Sequence, residues 1–559
     1  MNDTASLKAL LSATLLLWAG GIALSWTAGS VFPYLPATLA ICSLLFLLFV
    51  TTADTVDGLS APLVAVLSLN STVYTTMIFV FPEYFIGVDP NTYADSAAIA
   101  ASTGDLSSVQ IPFYDVASGY IGFVVVVNAI TDLGVRYSFS VFPLVISIGY
   151  PILAYQFLRI RFDSTKFVLL SALIASVVAQ ALMFAFWPIA QTLAAVQLLF
   201  FMCCLVRFLQ YRNGKFTLLT LLAVLSLLVT HKLPPLVLLI FFVVLLGFFL
   251  LATDTVYANS VRLTTLQDNP VVLMIGIVSL STAVLWVFYT SFLSNVVYRL
   301  LALVAMSGPA DDPTSVTTAT NTLSRPWQLL LFRGNTITLI LMSSVSWLYL
   351  VGIRQWRSSV LLSTLLSATA STGLFVVLSV LAPDAITISR SMFLYEIFAV
   401  LCIFAALISY TDGRVTGSVP AIVVVVVLIL SQVGVAVAVP DASYAARDYL
   451  VEEEIEAEKF TAEYATGVTH TDHFYAQEQI YFAPDRDRVE YESITDDVLE
   501  GNVADGNYDR VSLREGADVI RTGGHGDMRV DWSELSAVEN EYSKTYSNGG
   551  VTVYSNSSV

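Results

Sequence analysis

Apolar runs long enough to cross a lipid bilayer recur along most of this 559-residue chain and stop near residue 440. A spanning helix needs about 20 apolar residues, because an α-helix rises only ~1.5 Å per residue. Hydrophobic residues make up 56% of the chain and charged residues 12%, which is too apolar for a soluble globular protein. The sequence therefore predicts a polytopic α-helical membrane protein. Its apolar runs, about thirteen, are 8–28, 33–52, 60–82, 138–160, 166–186, 187–207, 215–231, 234–252, 271–292, 335–353, 359–382, 390–410 and 418–439.

The chain after residue 440 has a different composition. Residues 441–559 contain 26 acidic and 9 basic side chains and no apolar run of spanning length. We therefore predict two domains: a transmembrane domain at 1–440, with a long external loop at 83–137, and an acidic soluble α/β domain at 441–559. Near the end of the chain, Asn548-Gly549-Gly550 lies between residues of alternating polarity, which predicts a β-hairpin.

The overall charge narrows the class of partner. The formal net charge is −17, and arginine far outnumbers lysine. An acidic, lysine-poor surface is typical of proteins that work in high salt, where screening reduces the repulsion between carboxylates. This pattern predicts a halophilic archaeal source. Nucleic acid is not expected as a partner, because binding it requires a basic surface.

The basic residues predict the orientation in the membrane. A cytoplasmic N-terminus, with the apolar stretch 117–135 lying along the surface, places most basic clusters on the cytoplasmic side. The same arrangement places the loop 83–137 and the C-terminal domain outside, in a multi-pass protein of the plasma membrane. Some basic residues remain on the outer side, although basic residues usually favour the cytoplasmic side, and an anionic ligand at the outer face would explain them. They are Arg136, Lys232, Arg299, Arg325, Arg333 and Arg390.

Three carboxylates follow the third apolar run within a short external segment. They are Asp89, Asp95 and Asp105, in the sequence G-V-D-P-N-T-Y-A-D-S-A-A-I-A-A-S-T-G-D-L. A carboxylate beside a membrane can act as a general base on a hydroxyl group, can hold a divalent cation, or can be a solvated loop residue. Asp89 is the strongest candidate, because it follows the apolar run closely and precedes the rigid Pro90.

The stretch D-P-N-T-Y-A-D, followed by a short segment and Gly104-Asp105, resembles the first external loop of the GT-C superfamily of membrane glycosyltransferases. Those enzymes use polyprenyl-phosphate sugars, and relatives often read D-E-x-x-Y-A-E, then a short helix, then G-D and an aromatic and proline stretch, here 111–114. The resemblance implies that Asp89 is the catalytic or metal-associated carboxylate and Asp95 the later acid. Pro90 replaces a second acid, which favours a metal-independent base, while a divalent metal, Mg²⁺ or Mn²⁺, stays an open alternative.

Basic residues near helix ends are the candidates for binding a lipid-linked phosphate. Lys232 would do so as a point charge, with His231 beside it, and Arg390 through its bidentate fork. GT-C relatives often carry an arginine near the start of a late helix and a histidine in this kind of position. Lys232 and Arg390 could instead anchor helices at the membrane interface, and His231 could cap a carbonyl group. Arg333 is a further candidate for the same ligand, although Arg325 and Arg333 flank Trp327 and could instead form a plain interfacial belt.

Other polar motifs predict no chemistry. In H-T-D-H, His470 to His473, the spacing does not suit a metal, and a solvated loop is expected. The acidic run Glu452 to Phe460 predicts a solvated helix. The four cysteines fall in apolar runs and read as small core residues. The sequence has no W-W-D-Y-G motif, which argues against an oligosaccharyltransferase.

Together, the residues and the resemblance imply an enzyme that moves one sugar, by analogy mannose, from a dolichyl-phosphate donor. The acceptor would be an N-glycan or a glycoprotein, such as an S-layer protein, on the outer face. Two alternatives remain: a transporter or flippase of lipid-linked sugars, and a non-catalytic scaffold. A transporter should have polar groups at mid-membrane and broken helices. The apolar runs are nearly free of ionisable groups, with Glu396 as an exception, which favours chemistry at the membrane surface over passage through it.

Overall fold

The computed structural model describes most of the chain. The described residues are 3–28, 34–53, 56–80, 88–109, 111, 114, 117–211, 213–251, 270–284, 326–381, 388–411, 419–438, 450–477, 489–517, 519–522, 526–530 and 538–556.

Seventeen described α-helices precede the C-terminal domain, and each predicted apolar run coincides with one of them or, for 166–186, with two. Within the described ranges, nine helices are long and apolar enough to cross a membrane individually. The predicted polytopic membrane fold is confirmed. The helices are α1 Asp3–Ala28, α2 Tyr34–Thr52, α3 Ser60–Val80, α4 Val88–Thr103, α5 Gly119–Thr131, α6 Gly134–Ser138, α7 Val141–Arg159, α8 Thr165–Val177, α9 Ala179–Phe186, α10 Ala190–Tyr211, α11 Gly214–Thr230, α12 Leu233–Leu251, α13 Pro270–Ala283, α14 Pro326–Gly352, α15 Val360–Leu381, α16 Ile388–Thr411 and α17 Val419–Ala438.

Helix α16 lies at the centre of the membrane helices. It packs against α15, α8, α9 and α7, and almost all of its side chains are buried. Helix α10 packs against α7 and α11, and α12 packs against α15. The four cysteines are unpaired and buried in α2, α10 and α16, as predicted for small core residues.

The apolar stretch 117–135 does not form a spanning helix. Helix α5 has 13 residues, so it is about 20 Å long, against a hydrocarbon core of roughly 30 Å. It ends at Asp132, whose φ of 55° lies in the left-handed region and stops the helix. A short helix at this point is what the proposed orientation requires, and the orientation itself stays a prediction.

The run 166–186 was predicted as one span, but it is a broken helix. Helices α8 and α9 are bent by 51°, and Val178 between them has φ −60° and ψ 124°, which are not helical values. No glycine or proline occurs between Thr165 and Trp187. The break therefore does not come from a local helix breaker.

The chain divides into two compact units. One contains Met1–Ile78, Ser96–Ala305 and Leu331–Val437, and the other contains Phe79–Asp95, Met306–Leu330 and Ala438–Val559. The second unit includes the C-terminal α/β domain, which was predicted and is confirmed as a small sheet with helices. Its described elements are α18 Glu452–Tyr464, β1 Gly467–Thr471, α19 His473–Gln477, β2 Val489–Ser493, α20 Thr495–Glu500, β3 Arg510–Leu513, β4 Val519–Thr522, β5 Gly526–Arg529, α21 Val538–Glu541, β6 Tyr542–Ser547 and β7 Thr552–Asn556.

The main sheet of this domain has five described strands in the order β2-β1-β3-β7-β6. Strand β1 pairs in parallel with β2 and β3, while β7 is antiparallel to both β3 and β6. The predicted hairpin is therefore confirmed as β6–β7. Its turn includes Gly549 with φ +91°, a conformation that glycine adopts without strain. Strands β4 and β5 form a separate antiparallel pair.

A buried ion-pair network ties α18 to the sheet. Arg514 donates from Nε to Asp472 Oδ2 at 2.7 Å and from Nη2 to Oδ1 at 2.8 Å, and from Nη1 to Glu454 Oε1 at 3.2 Å. All three side chains are 2% exposed or less. The expected solvated loop around Asp472 is therefore wrong. The acidic helix exists, but it is not fully solvated, because Glu454 and Glu458 face inward.

Candidate functional site

The turn between α11 and α12 is built by His231. Helix α11 ends where His231 adopts an extended conformation, and α12 begins two residues later at Leu233. The Nδ1 atom of His231 accepts a hydrogen bond from the backbone N–H of Leu233 at 3.1 Å. The next two residues of α12, Pro234 and Pro235, need no acceptor, because proline has no N–H. The sequence T-H-K-L-P-P thus encodes a tight helix–helix turn, in which His231 caps an N–H rather than a carbonyl group.

His231 is neutral in this position and lies outside the two helices. Its side chain is 3% exposed. Burial holds the pKa of His231 well below its ordinary value, and the charges of Arg390 and Lys232 act in the same direction. Because Nδ1 accepts a hydrogen bond, the proton of the neutral ring is assigned to Nε2, which is therefore a donor.

Arg390 is brought to this turn from the start of α16. It is the third residue of that helix and is half-buried. Its backbone carbonyl accepts a hydrogen bond from Nε2 of Gln191, the second residue of α10, at 2.5 Å. Gln191 is fully buried, and no partner is recorded for its Oε1 in the described structure. The starts of α10 and α16 are thereby joined beside His231.

Helix α5 completes the contacts around the cluster. The hydroxyl of Tyr120 donates to the carbonyl of Pro188, in the linker between α9 and α10, at 2.7 Å. Its ring stacks on Phe142 with centroids 4.9 Å apart. The neighbouring Gly119 lies so close to α11 that a Cβ atom there would be 2.8 Å from the carbonyl oxygen of Val229. Helix α5 therefore contacts both α11 and the α9–α10 linker. The start of α10, which follows that linker, contacts the start of α16, which carries Arg390 to the turn.

The result is a basic cluster, defined as His231, Lys232 and Arg390, framed by helix ends. The ends of long apolar helices such as α12 and α16 are expected at the boundary of a membrane, where an apolar chain can meet water. Two cations and one neutral N–H donor suit an anionic group with several oxygen acceptors. The structure thus brings together three of the four residues predicted to bind a lipid phosphate.

The fourth residue, Arg333, lies within α14, but its side chain is outside the described part of the structure. Arg325 also lies outside the described residues.

The two predicted acids lie on one helix. Asp89 and Asp95 belong to α4, so the motif predicted as a loop is helical from Val88 onward. Pro90 in the first turn is compatible with a helix start. Asp95 is half-buried, and the side chain of Asp89 is outside the described part. Residues six apart on an α-helix are about 120° apart around its axis, so positions 89 and 95 do not fall on one face of α4.

Asp105 has a local structural role. It follows Gly104, whose φ of +70° ends α4, and it caps a short 3₁₀ helix at Leu106–Ser108. Its Oδ2 accepts from the hydroxyl of Ser107 at 2.6 Å and its Oδ1 from the N–H of Ser107 at 2.8 Å. These two hydrogen bonds lower the pKa of the exposed Asp105 carboxyl.

The donor set gives little support to a divalent metal at the acidic motif. Pro90 offers no side-chain oxygen where GT-C relatives often have a second acid. Among the described side chains, no three of His, Cys, Asp and Glu come together as ligands would.

Sequence reasoning missed Gly119, Tyr120 and Gln191. Glycine and tyrosine are ordinary in apolar segments, and their roles depend on contacts with residues 68 to 110 positions away along the chain. Gln191 did carry a signal, because it is an amide near the start of an apolar helix. A buried polar group in a membrane helix needs a partner, here the Arg390 carbonyl.

No protein-family model matches the sequence, and no match was found among curated proteins. Several solved structures are similar. The oligosaccharyltransferase of Archaeoglobus fulgidus in its apo form is 12% identical with a TM-score of 0.50, over 90% of this chain and 75% of that one. The archaeal oligosaccharyltransferase AglB from Archaeoglobus fulgidus, in complex with an inhibitory peptide and a dolichol-phosphate, is 12% identical with a TM-score of 0.47, over 88% of this chain and 74% of that one. ArnT from Cupriavidus metallidurans in the apo state is 11% identical with a TM-score of 0.44, over 88% and 97%.

At this identity the likeness concerns the fold. The apo oligosaccharyltransferase matches over most of both chains, and its helical membrane architecture is that of the GT-C superfamily. The resemblance inferred from the acidic motif is confirmed at this level. The chain has the GT-C fold.

Proposed function

We propose that the protein is a membrane glycosyltransferase that takes one sugar from a dolichyl-phosphate donor. The observation that carries this proposal is the basic cluster of His231, Lys232 and Arg390. Its two cations and its Nε2–H donor fit a phosphate group, and the apolar helices around it fit a polyprenyl tail. The GT-C fold supports the reaction class by analogy.

The charge of the cluster suits the direction of the reaction. A sugar phosphodiester carries one negative charge, and the lipid phosphate that leaves is a monoester with a charge of about −1.5 to −2 at neutral pH. Negative charge therefore develops on the phosphate as the bond to the anomeric carbon breaks. Lys232 and Arg390 would stabilise the leaving group more strongly than the bound donor, which lowers the barrier.

Asp89 is the proposed general base. It would take the proton from an acceptor hydroxyl as the hydroxyl oxygen attacks the anomeric carbon of the sugar. At the same time, the bond between the anomeric carbon and the phosphate oxygen breaks. Asp95 is proposed as a supporting acid of the same motif, on a different face of α4. The assignment rests on the resemblance of D-P-N-T-Y-A-D to the GT-C loop.

Mannose as the sugar, and an N-glycan or glycoprotein such as an S-layer protein as the acceptor, are proposed from the same resemblance. Transfer would take place on the outer face, with the N-terminus in the cytoplasm and the C-terminal domain outside. AglB of A. fulgidus has been solved with a dolichol-phosphate, the lipid class proposed here for the donor. The absence of W-W-D-Y-G from this sequence favours transfer of a single sugar over that of a whole oligosaccharide.

Asp89→Asn tests the base. In cells carrying this variant at wild-type membrane levels, glycopeptide mass spectrometry should find external glycans short by one hexose, with the precursor accumulating. Asp105→Asn is the matched control, because it removes a carboxylate from the same segment whose contacts are local. Unchanged glycans in the Asp89 variant would contradict the role of Asp89.

The basic cluster is tested separately with the donor. Removing one charge-assisted hydrogen bond is expected to cost about 1.5–3 kcal/mol, or roughly 10- to 150-fold in affinity for dolichyl-phosphate mannose. Lys232→Gln and Arg390→Gln should each show this loss in purified protein. Lys215→Gln, at the opposite end of α11, should not. Equal affinities in all variants would contradict the phosphate site.

One observation favours the transporter or flippase as a second candidate. The transporter alternative predicted a broken helix and a polar group within the membrane, and α8–α9 breaks beside Glu396. Proteoliposomes containing a fluorescent lipid-linked sugar separate the candidates. A transporter would flip the lipid without cleaving it, a transferase would release dolichyl phosphate when acceptor is added, and a scaffold would do neither.

A further inference from the structure

The break between α8 and α9 leaves backbone groups without their helical partners. In an unbroken helix, the N–H groups of Ala179 and Gln180 would donate to carbonyl groups four residues earlier. Here they donate to side chains instead. The Ala179 N–H donates to Gln432 Oε1 at 3.0 Å, and the Gln180 N–H donates to Glu396 Oε2 at 3.1 Å. The carbonyls of Ala175 and Ser176 lose the donors that a continuous helix would supply.

The two capping side chains come from distant helices and are deeply buried. Glu396 lies in α16 and Gln432 in α17, and each is 1% exposed. Both are separated from the break by more than 200 residues of sequence. Two helices therefore hold the break open at a fixed place, at the centre of the helical packing.

Four polar atoms around the break have no hydrogen-bond partner in the described structure. They are Glu396 Oε1, Gln180 Oε1, the Tyr150 hydroxyl oxygen and Gln432 Nε2. Tyr150 is 1% exposed and lies close enough to Glu396 for the carboxylate charge to act on it. Three of the four atoms are oxygens, and they come from three different helices. An unpartnered polar atom is costly in a membrane interior, so this grouping indicates an occupant.

The charge of Glu396 indicates what kind of occupant is required. Among the described residues, no basic side chain acts on its carboxylate. An uncompensated carboxylate among membrane helices is unfavourable, and the positive end of the short helix α9 offsets only part of one charge. A proton could neutralise the carboxylate but would leave most of the other oxygens without partners. A bound cation would balance the charge and also coordinate those oxygens.

We propose that the α8–α9 break is a binding site for a monovalent cation, Na⁺ or K⁺, with Glu396 as its charged ligand. Gln180 Oε1, the Tyr150 hydroxyl and the carbonyl groups at the end of α8 supply neutral oxygens. A single carboxylate balances a single positive charge, whereas a divalent ion would leave a net charge in the hydrocarbon region. Broken membrane helices bind alkali cations by this chemistry, through carbonyls at the C-terminal ends of half-helices.

The direct test is binding of ²²Na⁺ to the full chain in lipid nanodiscs, measured by scintillation proximity and competed with unlabelled NaCl or KCl. One ion per chain is expected. A parallel measurement follows thermal unfolding in NaCl, KCl or choline chloride at equal ionic strength. The alkali cation that binds should raise the Tm by about 2–4 °C, because it stabilises only the folded state.

Glu396→Gln is the key variant. Its amide oxygen can still accept from the Gln180 N–H, so the helix break is retained, but the charge is lost. Specific ²²Na⁺ binding and the cation-dependent rise in Tm should both disappear. Tyr150→Phe removes one oxygen ligand and leaves the hydrogen bond from the Gln180 N–H to Glu396 in place, so it should weaken cation binding severalfold. This variant tests the proposal even if Glu396→Gln does not fold.

Two results would overturn the proposal. One is wild-type protein that binds neither Na⁺ nor K⁺, or that binds them no better than Glu396→Gln. The other is a stability that depends on pH through Glu396 but not on the cation, which would identify a proton as the balancing charge.

Discussion

Gly119→Ala should disturb the basic cluster without changing any of its residues. The added Cβ would lie 2.8 Å from both the carbonyl oxygen and a methyl carbon of Val229 and 3.1 Å from the carbonyl carbon. Two of these atoms are backbone, so no side-chain rotation relieves the contact. Helix α5 must move away from α11, and His231 is only two residues beyond Val229.

The size of the effect follows from these distances. Carbon–oxygen contacts settle at about 3.3–3.6 Å, so the two helices must separate by roughly 0.5–0.8 Å. Overpacking of this kind costs about 1–3 kcal/mol. Alanine normally gains up to about 1 kcal/mol over glycine within a helix, so the clash outweighs the gain. A misplacement of 1 Å can cost about 100-fold in rate, so half that displacement should reduce kcat/KM for sugar transfer about tenfold.

The assay is sugar transfer from dolichyl-phosphate mannose by protein in nanodiscs, together with a thermal melt. Gly122→Ala is the matched control, one helical turn along α5. Its Cβ would meet only the two movable methyl groups of Leu106, at 3.3 and 3.9 Å, so activity should be unchanged and stability equal or higher. Val229→Ala removes the methyl contact but leaves the carbonyl, so it should rescue Gly119→Ala only in part.

Full activity and stability in Gly119→Ala would show that the close approach of α5 to α11 does not position the turn. Equal damage in Gly122→Ala would show the same, since the effect would then come from the helix rather than from the contact.

The remaining predictions concern the C-terminal domain. Asp472→Asn breaks the bidentate pair with the buried Arg514 and should destabilise the domain by about 3–5 kcal/mol, seen as an earlier unfolding transition, whereas exposed Asp496→Asn should leave it unchanged. Burial lowers the pKa of His470, and nearby carboxylates offset only part of that shift. Its contribution to stability is therefore fully present above its unfolded pKa, near 6.5, and is lost as the pH falls. Thermal melts between about pH 7.5 and 5 should show a smaller loss of stability in His470→Gln than in wild type as the pH falls. An identical dependence of stability on pH in the two proteins would contradict this.

The sequence was sufficient for the membrane helices and for the β6–β7 hairpin, because both depend on local patterns. Apolar runs set the helices, and Asn548-Gly549-Gly550 set the turn. It was not sufficient for the break in α8–α9. There the local residues favour a continuous helix, and the competing hydrogen bonds come from Glu396 and Gln432, far along the chain.

The same distinction applies to the candidate site. His231, Lys232 and Arg390 were found because charge at the end of an apolar run is conspicuous in a sequence. For the acidic run in α18 the prediction of a fully solvated helix was wrong, because it rested on composition alone. Glu454 is buried since its carboxylate meets Arg514, 60 residues later, and accepts from the backbone N–H of Val451. Pairing of this kind is a property of the tertiary structure.

The strand order β2-β1-β3-β7-β6 has a consequence for the biogenesis of the protein. Strand β7 follows β6 in the chain, yet it lies between β3 and β6 inside the sheet. During synthesis, β1, β2 and β3 can pair first, but β3 keeps an open edge until residues 552–556 arrive. An unpaired edge is a site for wrong pairing and aggregation. A nascent chain therefore carries an exposed, half-formed sheet until β7 is delivered, and premature termination shortly before Thr552 would leave the membrane helices intact but the edge of β3 unpaired.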